Sequence, residues 1–405
     1  MLRSLFLDFN AYFASCEQHF QPHLRGKPIA VCPVDAATGC CIAASYEAKA
    51  FGIKTGTRVA EARKLCPGII IVQAHPKAYV ELHHRLISLI EDCMHIEKVW
   101  SIDEMHCPLT GHWREEKHSR ALAHTIKTTI AREVGPAMRC SIGIAPNNYI
   151  AKIASDMVKP DGLTVIHEAE LPEALHPLDL NDLPGIGKRM RIRLERAGIR
   201  TMPQLCRAPR PQLRRIWGGV KGERFWFQLR GHPIPLPETQ RRTVGHSHVL
   251  PPALRDQEKI RPVLLRLLQK AAMRLRALDY AATRLSVRVD FGEACWEDEY
   301  ADAPTDSTRE LILRFNQLWD QKPPTPHPRT VYVTLSGLVH QSALSLPLLD
   351  HIPTNRSPLD KAIDAINLKH GSRTVFYAGA MEAIEAAPMR IAFTQIPNID
   401  RESDD

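Results

Sequence analysis

Short apolar runs alternate along the chain with stretches whose apolar residues return every three or four positions. SLFLDF (4–9) is a continuous apolar run closing on an acid, which predicts a buried strand. Asn10 and AYFASCEQHF are expected to cap and build a helix. KPIAVCPV predicts a second strand, and Ala36 to Ala44 is almost all small side chains. Ser45 to Phe51 is helix-like, punctuated by Gly52 and Gly56. GIIIVQA (68–74) precedes YVELHHRLISLIEDCMHI (79–96), whose period predicts an amphipathic helix. KVWSIDEMHCPLT alternates as a strand does, residues 118–134 read as a helix and 138–145 as a strand. Strands and helices in this order predict an α+β sheet with helices on one face.

Pro172, Pro177 and Pro184 mark a change of module. LNDLPGIGKRMRIRLERAGI (180–199) reads as a helix, a Gly-rich turn and a basic helix. PIPLPETQ (233–240) reads as a linker. Beyond it come a strand (RRTVGHSHVL), a long basic helix (DQEKIRPVLLRLLQKAAMRLRALDY), a strand (TRLSVRVDF), a helix (DSTRELILRFNQLWD) and a strand (RTVYVTLSGLVH). That stretch is of ordinary domain size. After residue 345 the chain turns irregular, with one helical run, SPLDKAIDAINLKHG.

At 405 residues the chain is long enough for two to four domains. Its 44% hydrophobic and 24% charged residues exclude wholesale disorder. No apolar run reaches the ~18 residues of a membrane span, and no membrane role is expected. Asp8 and Asn10 interrupt the apolar start where an export signal would stay apolar. The ten cysteines show no C-x-x-C, so reduced thiols in a cytoplasmic protein are expected. Charge is uneven. Residues 181–290 hold 24 Lys and Arg against 8 Asp and Glu, and the remainder holds 29 against 37. A basic block beside an acidic remainder fits a polyanion held by one part, or else a solvated basic face.

Three carboxylates are candidates for chemistry. Asp8 leaves the first strand, while Asp103 and Glu104 sit side by side in an apolar setting of Val99, Trp100 and Ile102. Adjacent acids in a strand face opposite sides, so one would be covered, and a covered carboxylate is costly without a partner. Divalent cations would remove that cost. The plainer reading is that Asp8 caps a helix and the pair lies on a solvated edge.

LDFNAYFASCEQ (7–18), ASYEAKAFGIKTG (44–56), SIDEMHCPLTG (101–111), SIGIAPNNYIAKIASDMVKPDG (141–162) and LPGIGKRMRIRLERAGI (183–199) occur in one order. Together they resemble the Y-family DNA polymerases, the translesion enzymes. NAYFASCE and EAKAFGIKTG look most like the UmuC branch, while PGIG and ASDMVKPDG are shared with the DinB branch. The resemblance implies a right-hand polymerase. Its ferredoxin-like palm would be 1–21 and 76–165, its small fingers 22–75 and its helix-hairpin-helix thumb 166–235. A βαββαβ little finger would span 241–340, and a UmuC-like tail 341–405.

It also implies that Asp8, Asp103 and Glu104, with the carbonyl of Phe9, hold two Mg²⁺ ions, which Mn²⁺ can replace. Tyr12, Phe13, Tyr46, Lys49 and Lys159 would bind the nucleotide, with Phe13 as the gate against a 2′-hydroxyl; alone, Phe13 also reads as a core residue. The family usually has Arg at the position of Lys49, so a bidentate grip becomes a point-charge contact. Met105, His106, Cys107 and Pro108 depart from the family pattern, and Pro108 is expected to end its strand or lie at an edge. His106 reads as packing. The small residues Ala36 to Ala44 would cover the templating base, or form a plain loop.

Gly185, Gly187, Lys188 and Arg189 would grip a DNA backbone. Arg241 and Arg242, then Arg261, Arg266, Lys270, Arg274, Arg276, Arg284 and Arg288, would line the little finger, or else a solvated helix face. ALSLP (343–347) faintly resembles a sliding-clamp peptide with Ala for the leading Gln. The implied function is low-fidelity, template-directed extension of a primer with dNTPs, with primer-template DNA, a sliding clamp and accessory translesion subunits as partners. A catalytically silent DNA-binding scaffold and a two-metal nuclease are the alternatives.

Overall fold

In the computed structural model the described residues are 1–33, 39–235, 240–324, 327–344, 357–371, 373–386, 388 and 396–397. Two compact units divide the chain: the first is Met1–Leu236 with Ala392–Ile396, the second Pro237–Ile391 with Pro397–Asp405. Residues 36–38 of the small-residue run and 345–347 of the clamp-like peptide lie outside the described residues.

The first unit begins with β1 (Ser4–Phe9), α1 (Tyr12–Phe20), β2 (Ile29–Cys32), β3 (Ala43–Ala44), α2 (Tyr46–Lys49), α3 (Val59–Leu65) and β4 (Ile70–Gln73). It continues through α4 (Pro76–Glu91), β5 (Lys98–Val99), β6 (Glu104–Pro108), α5 (Glu116–Glu133), β7 (Cys140–Ala145), α6 (Asn148–Met157) and β8 (Leu163–Val165). A five-stranded sheet runs β5-β6-β1-β7-β8. All six residues of β1 are buried, as its unbroken apolar run requires of a central strand covered on both faces. Asn10 does not cap α1. Ala11 precedes that helix in a left-handed conformation (φ 48°), and the Asn10 amide instead reaches across to Ser141 Oγ (3.1 Å) while its Oδ1 accepts from the Asp161 backbone N–H (2.7 Å).

The 98–110 stretch is not one strand. It folds back as the β5–β6 hairpin, with the Trp100 N–H bonded to the Glu104 carbonyl (2.9 Å). Asp103 therefore lies on the turn, and Glu104 opens β6. The buried His83 of α4 holds that turn through the Ile102 carbonyl (Nδ1···O 2.7 Å); burial pushes its imidazole down to about 4. β6 ends at Pro108, as a residue with no N–H should. His106 is a buried packing residue between Glu97 (2.9 Å) and Ser4 Oγ (3.2 Å).

Helix α6 lies directly on β7 at Gly143. A Cβ there would sit 2.0 Å from the Ala151 carbonyl oxygen and 2.4 Å from the Ser155 nitrogen, both backbone atoms that cannot rotate away. Gly143→Ala is expected to cost about 1–3 kcal/mol through overpacking, read as a lowered urea midpoint.

A small sheet, β3-β2-β4, covers a core that includes Ala30, Ala44, Ala48 and Ile53. Helices α7 (Lys188–Arg196), α8 (Met202–Arg207), α9 (Arg210–Trp217) and α10 (Val220–Gln228) share a second core with α6. The helix expected to open the 180–199 stretch is only a 3₁₀ turn, Leu180–Asp182, because Pro184 and Gly185 stop it.

The second unit runs β9 (Thr243–Val249), α11 (Gln257–Ala277), β10 (Tyr280–Phe291), β11 (Ala294–Thr305), α12 (Thr308–Asp320), β12 (Thr330–His340) and α13 (Ser357–His370). Its first six elements give the order βαββαβ, and its antiparallel sheet runs β11-β10-β12-β9. Val287, Val333 and Leu335 face Leu264 and Leu268 of α11 in the core. Two arginines expected to line the little finger are inside. Arg266 is 4% exposed and Arg276 9%, because α11 turns those positions toward its neighbours. Arg276 makes a bidentate pair with Asp364 of α13 (2.6 and 2.8 Å), a third bond to the Asp306 carbonyl (2.7 Å) and a fourth to Thr308 Oγ1 (2.9 Å). The helical part of the tail is thus docked on this unit. Among the described residues no helix is long and apolar enough to cross a membrane.

Candidate active site

One cavity of the first unit, about 300 Å³, is lined by Asp8, Phe9, Asp103 and Glu104. Residues nearly a hundred positions apart meet there because β1 and β6 pair antiparallel in a register that sets Asp8 opposite Glu104. The Phe9 N–H donates to the Asp103 carbonyl (2.9 Å) and extends that pairing by one residue. The pairing brings the three acids of the sequence reading to one wall.

Two lysines complete it. Lys152 of α6 contacts Asp8 Oδ2 (2.6 Å), Glu104 Oε1 (2.7 Å) and Asp156 Oδ2 (3.2 Å). Lys159 contacts Asp8 Oδ1 and Asp156 Oδ1, both at 2.7 Å. Each oxygen of the buried Asp8 carboxylate thus has its own ammonium. Burial pulls the Lys152 and Lys159 ammoniums down, but Asp8 and Asp156 outweigh it and hold both above the usual lysine range. Asp103 differs. Burial pushes its carboxyl up to about 6; the Ser101 hydroxyl, which donates at 2.5 Å, opposes the shift, and Asp8 and Glu104 reinforce it.

Phe13 and Tyr12 line the same cavity. Phe13 is 3% exposed, and its ring stacks on Tyr79 (centroids 5.0 Å apart, planes at 30°) with Tyr12 at its edge (5.7 Å). Tyr79 is itself fixed. Its hydroxyl donates to the buried Glu17 carboxylate (2.5 Å), which also meets His75 Nδ1 (2.8 Å) and accepts from Gln21 (2.8 Å). The Tyr12 hydroxyl donates to the Tyr79 carbonyl (2.7 Å). Lys49 lines the cavity as well, its ammonium 4.3 Å from the centroid of the Tyr46 ring. Partial desolvation and Lys159 draw the Lys49 pKa down, while burial raises Tyr46. Ile42, Ala43 and Ala44 form another part of the wall.

Sequence reading missed Lys152, Asp156, Ser101, Glu17 and Tyr79. A signal existed for the first two: Lys152, Asp156 and Lys159 recur at spacings of four and three, one face of a helix and its exit. Of the expected DNA contacts, Gly185 adopts φ 89°, where a side chain would be strained, whereas Gly187 is extended and precedes α7. Lys188 and Arg189 open α7 with exposed side chains, and Arg241 and Arg242 are exposed in the second unit.

The chain matches the impB/mucB/samB family over residues 7–156 and that family's C-terminal domain over 241–348. Residues 181–232 match the thumb domain of DNA polymerase iota. It is 32% identical to the DNA polymerase IV of Moorella thermoacetica over 383 residues, 92% of this chain and 95% of the relative. The chain belongs to the Y-family DNA polymerases. Its identity to the DNA polymerase IV of Pelotomaculum thermopropionicum is 33%, over 92% of this chain and 94% of that one. A solved Y-family DNA polymerase chimera of Dbh and Dpo4 superposes with TM-score 0.70 and 25% identity, covering 84% of this chain and all of that one. This chain is therefore a DNA-directed DNA polymerase of α+β fold. The two relatives named are polymerase IV enzymes, on the DinB side of the two branches its motifs resemble.

Among the described residues no three His, Cys, Asp or Glu side chains are already disposed around one ion position, since the ammoniums stand between the acids. The donor chemistry nonetheless fits a hard divalent cation: carboxylate oxygens converge in one cavity with no sulfur or imidazole lining it.

Proposed function

We propose that this Y-family polymerase carries out low-fidelity translesion synthesis, adding dNTPs to a primer 3′-hydroxyl on template DNA. The observation that carries the reading is the convergence of Asp8, Asp103 and Glu104 in a cavity that also holds Phe13, Lys49 and Lys159. Residues 1–21 and 76–165 serve as palm, 22–75 as fingers, 166–235 as thumb and 241–340 as little finger.

Asp8, Asp103, Glu104 and the Phe9 carbonyl are the residues that would hold two Mg²⁺ ions. Those ions would supply charge neutralisation and a lowered pKa at the attacking hydroxyl. Lys159 and Lys49 bind the triphosphate as point charges, and Tyr46, packed under Lys49, orients it. Lys152 keeps Asp8, Glu104 and Asp156 compensated before substrate arrives, which limits the cost of holding these three carboxylates together. Phe13 forms the floor beneath the sugar. Ala43 and Ala44 leave room above a template base, which lowers shape checking and so fidelity. Exposed Lys188, Arg189, Arg241 and Arg242 grip DNA phosphates without reading sequence. A sliding clamp and accessory subunits remain proposed partners that only binding assays with those proteins can test.

Primer extension on undamaged templates and on matched templates carrying an abasic site or a bulky base adduct tests this function. Extension past the lesion, with frequent misincorporation opposite normal bases, supports it. Extension that stops at every lesion removes the translesion assignment. Shortening of the primer would indicate a nuclease, and binding without either reaction a scaffold.

A further inference from the structure

Two thiols outside the acidic cluster face each other in the small sheet. β2 and β3 pair antiparallel with Ala30 opposite Ala44 and Val31 opposite Ala43. The Ile42 N–H also donates to the Val31 carbonyl (2.8 Å), so two residues of one strand oppose one of the other, a β-bulge. The bulge shifts the register by one, which brings Cys41 across from Cys32. Their sulfurs lie 3.8 Å apart, and the residues are 1% and 0% exposed.

Both backbones are pinned. The Cys41 N–H donates to Thr57 O (2.9 Å) and its carbonyl accepts from Gly56 (2.8 Å), while the Cys32 carbonyl accepts from Ala74 (2.9 Å). The pair is therefore held in contact by main-chain pairing on both sides. The next three residues, Ile42, Ala43 and Ala44, line the nucleotide cavity.

We propose that Cys32 and Cys41 are a dithiol which a two-electron oxidant such as hydrogen peroxide converts to a disulfide, fixing the strand edge that lines the nucleotide cavity. Bond formation needs the sulfurs to close to about 2.05 Å, a side-chain rotation across adjacent strands. The Cys32 thiol donates to Cys41 and, against burial, draws the Cys41 thiol below its usual range. Cys41 is thus the first nucleophile and Cys32 the resolving thiol. The Cys41 thiolate attacks one peroxide oxygen, the O–O bond breaks, and the departing hydroxide takes a proton to become water. Cys32 then attacks the resulting sulfenic sulfur, the S–O bond breaks, and a second water leaves. Two thiols and one peroxide become one disulfide and two waters. Peroxide reaches the buried pair through local opening of the strand end.

The full chain is treated with hydrogen peroxide, alkylated under denaturing conditions, digested with trypsin and weighed. The expected product is a peptide spanning residues 26–49 that lacks two hydrogens, carries an alkyl group on Cys40 alone, and regains two alkylation sites after dithiothreitol. Cys41→Ser and Cys32→Ala each abolish it. A link from Cys40 to either neighbour, over-oxidation of Cys41 without a link, or full alkylation of both residues overturns the proposal. In the same samples, the dNTP KM for primer extension is expected to change several-fold on oxidation, to revert with dithiothreitol, and to resist peroxide in Cys32→Ala. An unchanged KM with the link formed overturns the coupling to the cavity. The mass shift does not depend on the translesion reading, so the two fail separately.

Discussion

Asp103→Ala is expected to abolish primer extension, with kcat falling roughly 10³-fold or more while the protein still binds DNA. If Asp103 holds a cation as proposed, its loss removes several kcal/mol of charge stabilisation from phosphoryl transfer. The same position gives the opposite result for stability. The Asp103 carboxyl is raised from about 3.9 when unfolded to about 6 when folded, first by burial and then by Asp8 and Glu104. A carboxyl raised on folding costs nothing below its unfolded value, and its cost grows as pH climbs to the folded one. In the presence of a chelator, Asp103→Asn should therefore be more stable than the parent at pH 8, by about 1–2 kcal/mol once solvent screening is allowed for. The advantage should vanish near pH 4. Urea midpoints across that range, set beside single-nucleotide extension rates, check both halves. An inactive variant with no pH-dependent gain would mean that Asp103 is not held at a cost.

Phe13→Ala is expected to lower discrimination between deoxy- and ribonucleotides by about 10²-fold, the scale on which a close-packed apolar wall rejects one added hydroxyl. The ring cannot swing aside in the parent. It is stacked on Tyr79, whose hydroxyl is held by Glu17, itself in contact with His75, and whose carbonyl accepts from the Tyr12 hydroxyl. The loss should appear as a gain in kcat/KM for ribonucleotides, with a smaller fall for deoxynucleotides. Unchanged sugar discrimination would return Phe13 to the role of a core side chain.

The elements legible in the residues were those with a strong period or an unbroken apolar run: β1, α4, α5, β7 and α11. Strand β11 was not, because Asp298 and Asp302 interrupt the face on which Trp296 and Tyr300 pack against the core, and Glu297 and Glu299 fill the other. It is an edge strand, and its charges protect that edge from pairing with other chains. The hairpin turn at residues 100–103 was read as strand, since alternation alone cannot reveal a reversal that His83 and the β5–β6 pairing impose from outside.

For the site, five ordered motifs fixed the family and named the acids. No local pattern can state that Asp8 lies opposite Glu104, for strand register is settled by which faces become buried when β1 enters the sheet. The basic stripe of α11 shows the same limit. Spacing put Arg266 on one face with Lys270 and Arg274, but the partners packed on the helix decided that Arg266 and Arg276 lie inside. The sequence by itself determined the chemical groups and the family to which they belong. Tertiary structure alone decided which charges share an ammonium, which thiols touch and which arginine is covered, because those depend on distances between segments that the order of residues does not encode.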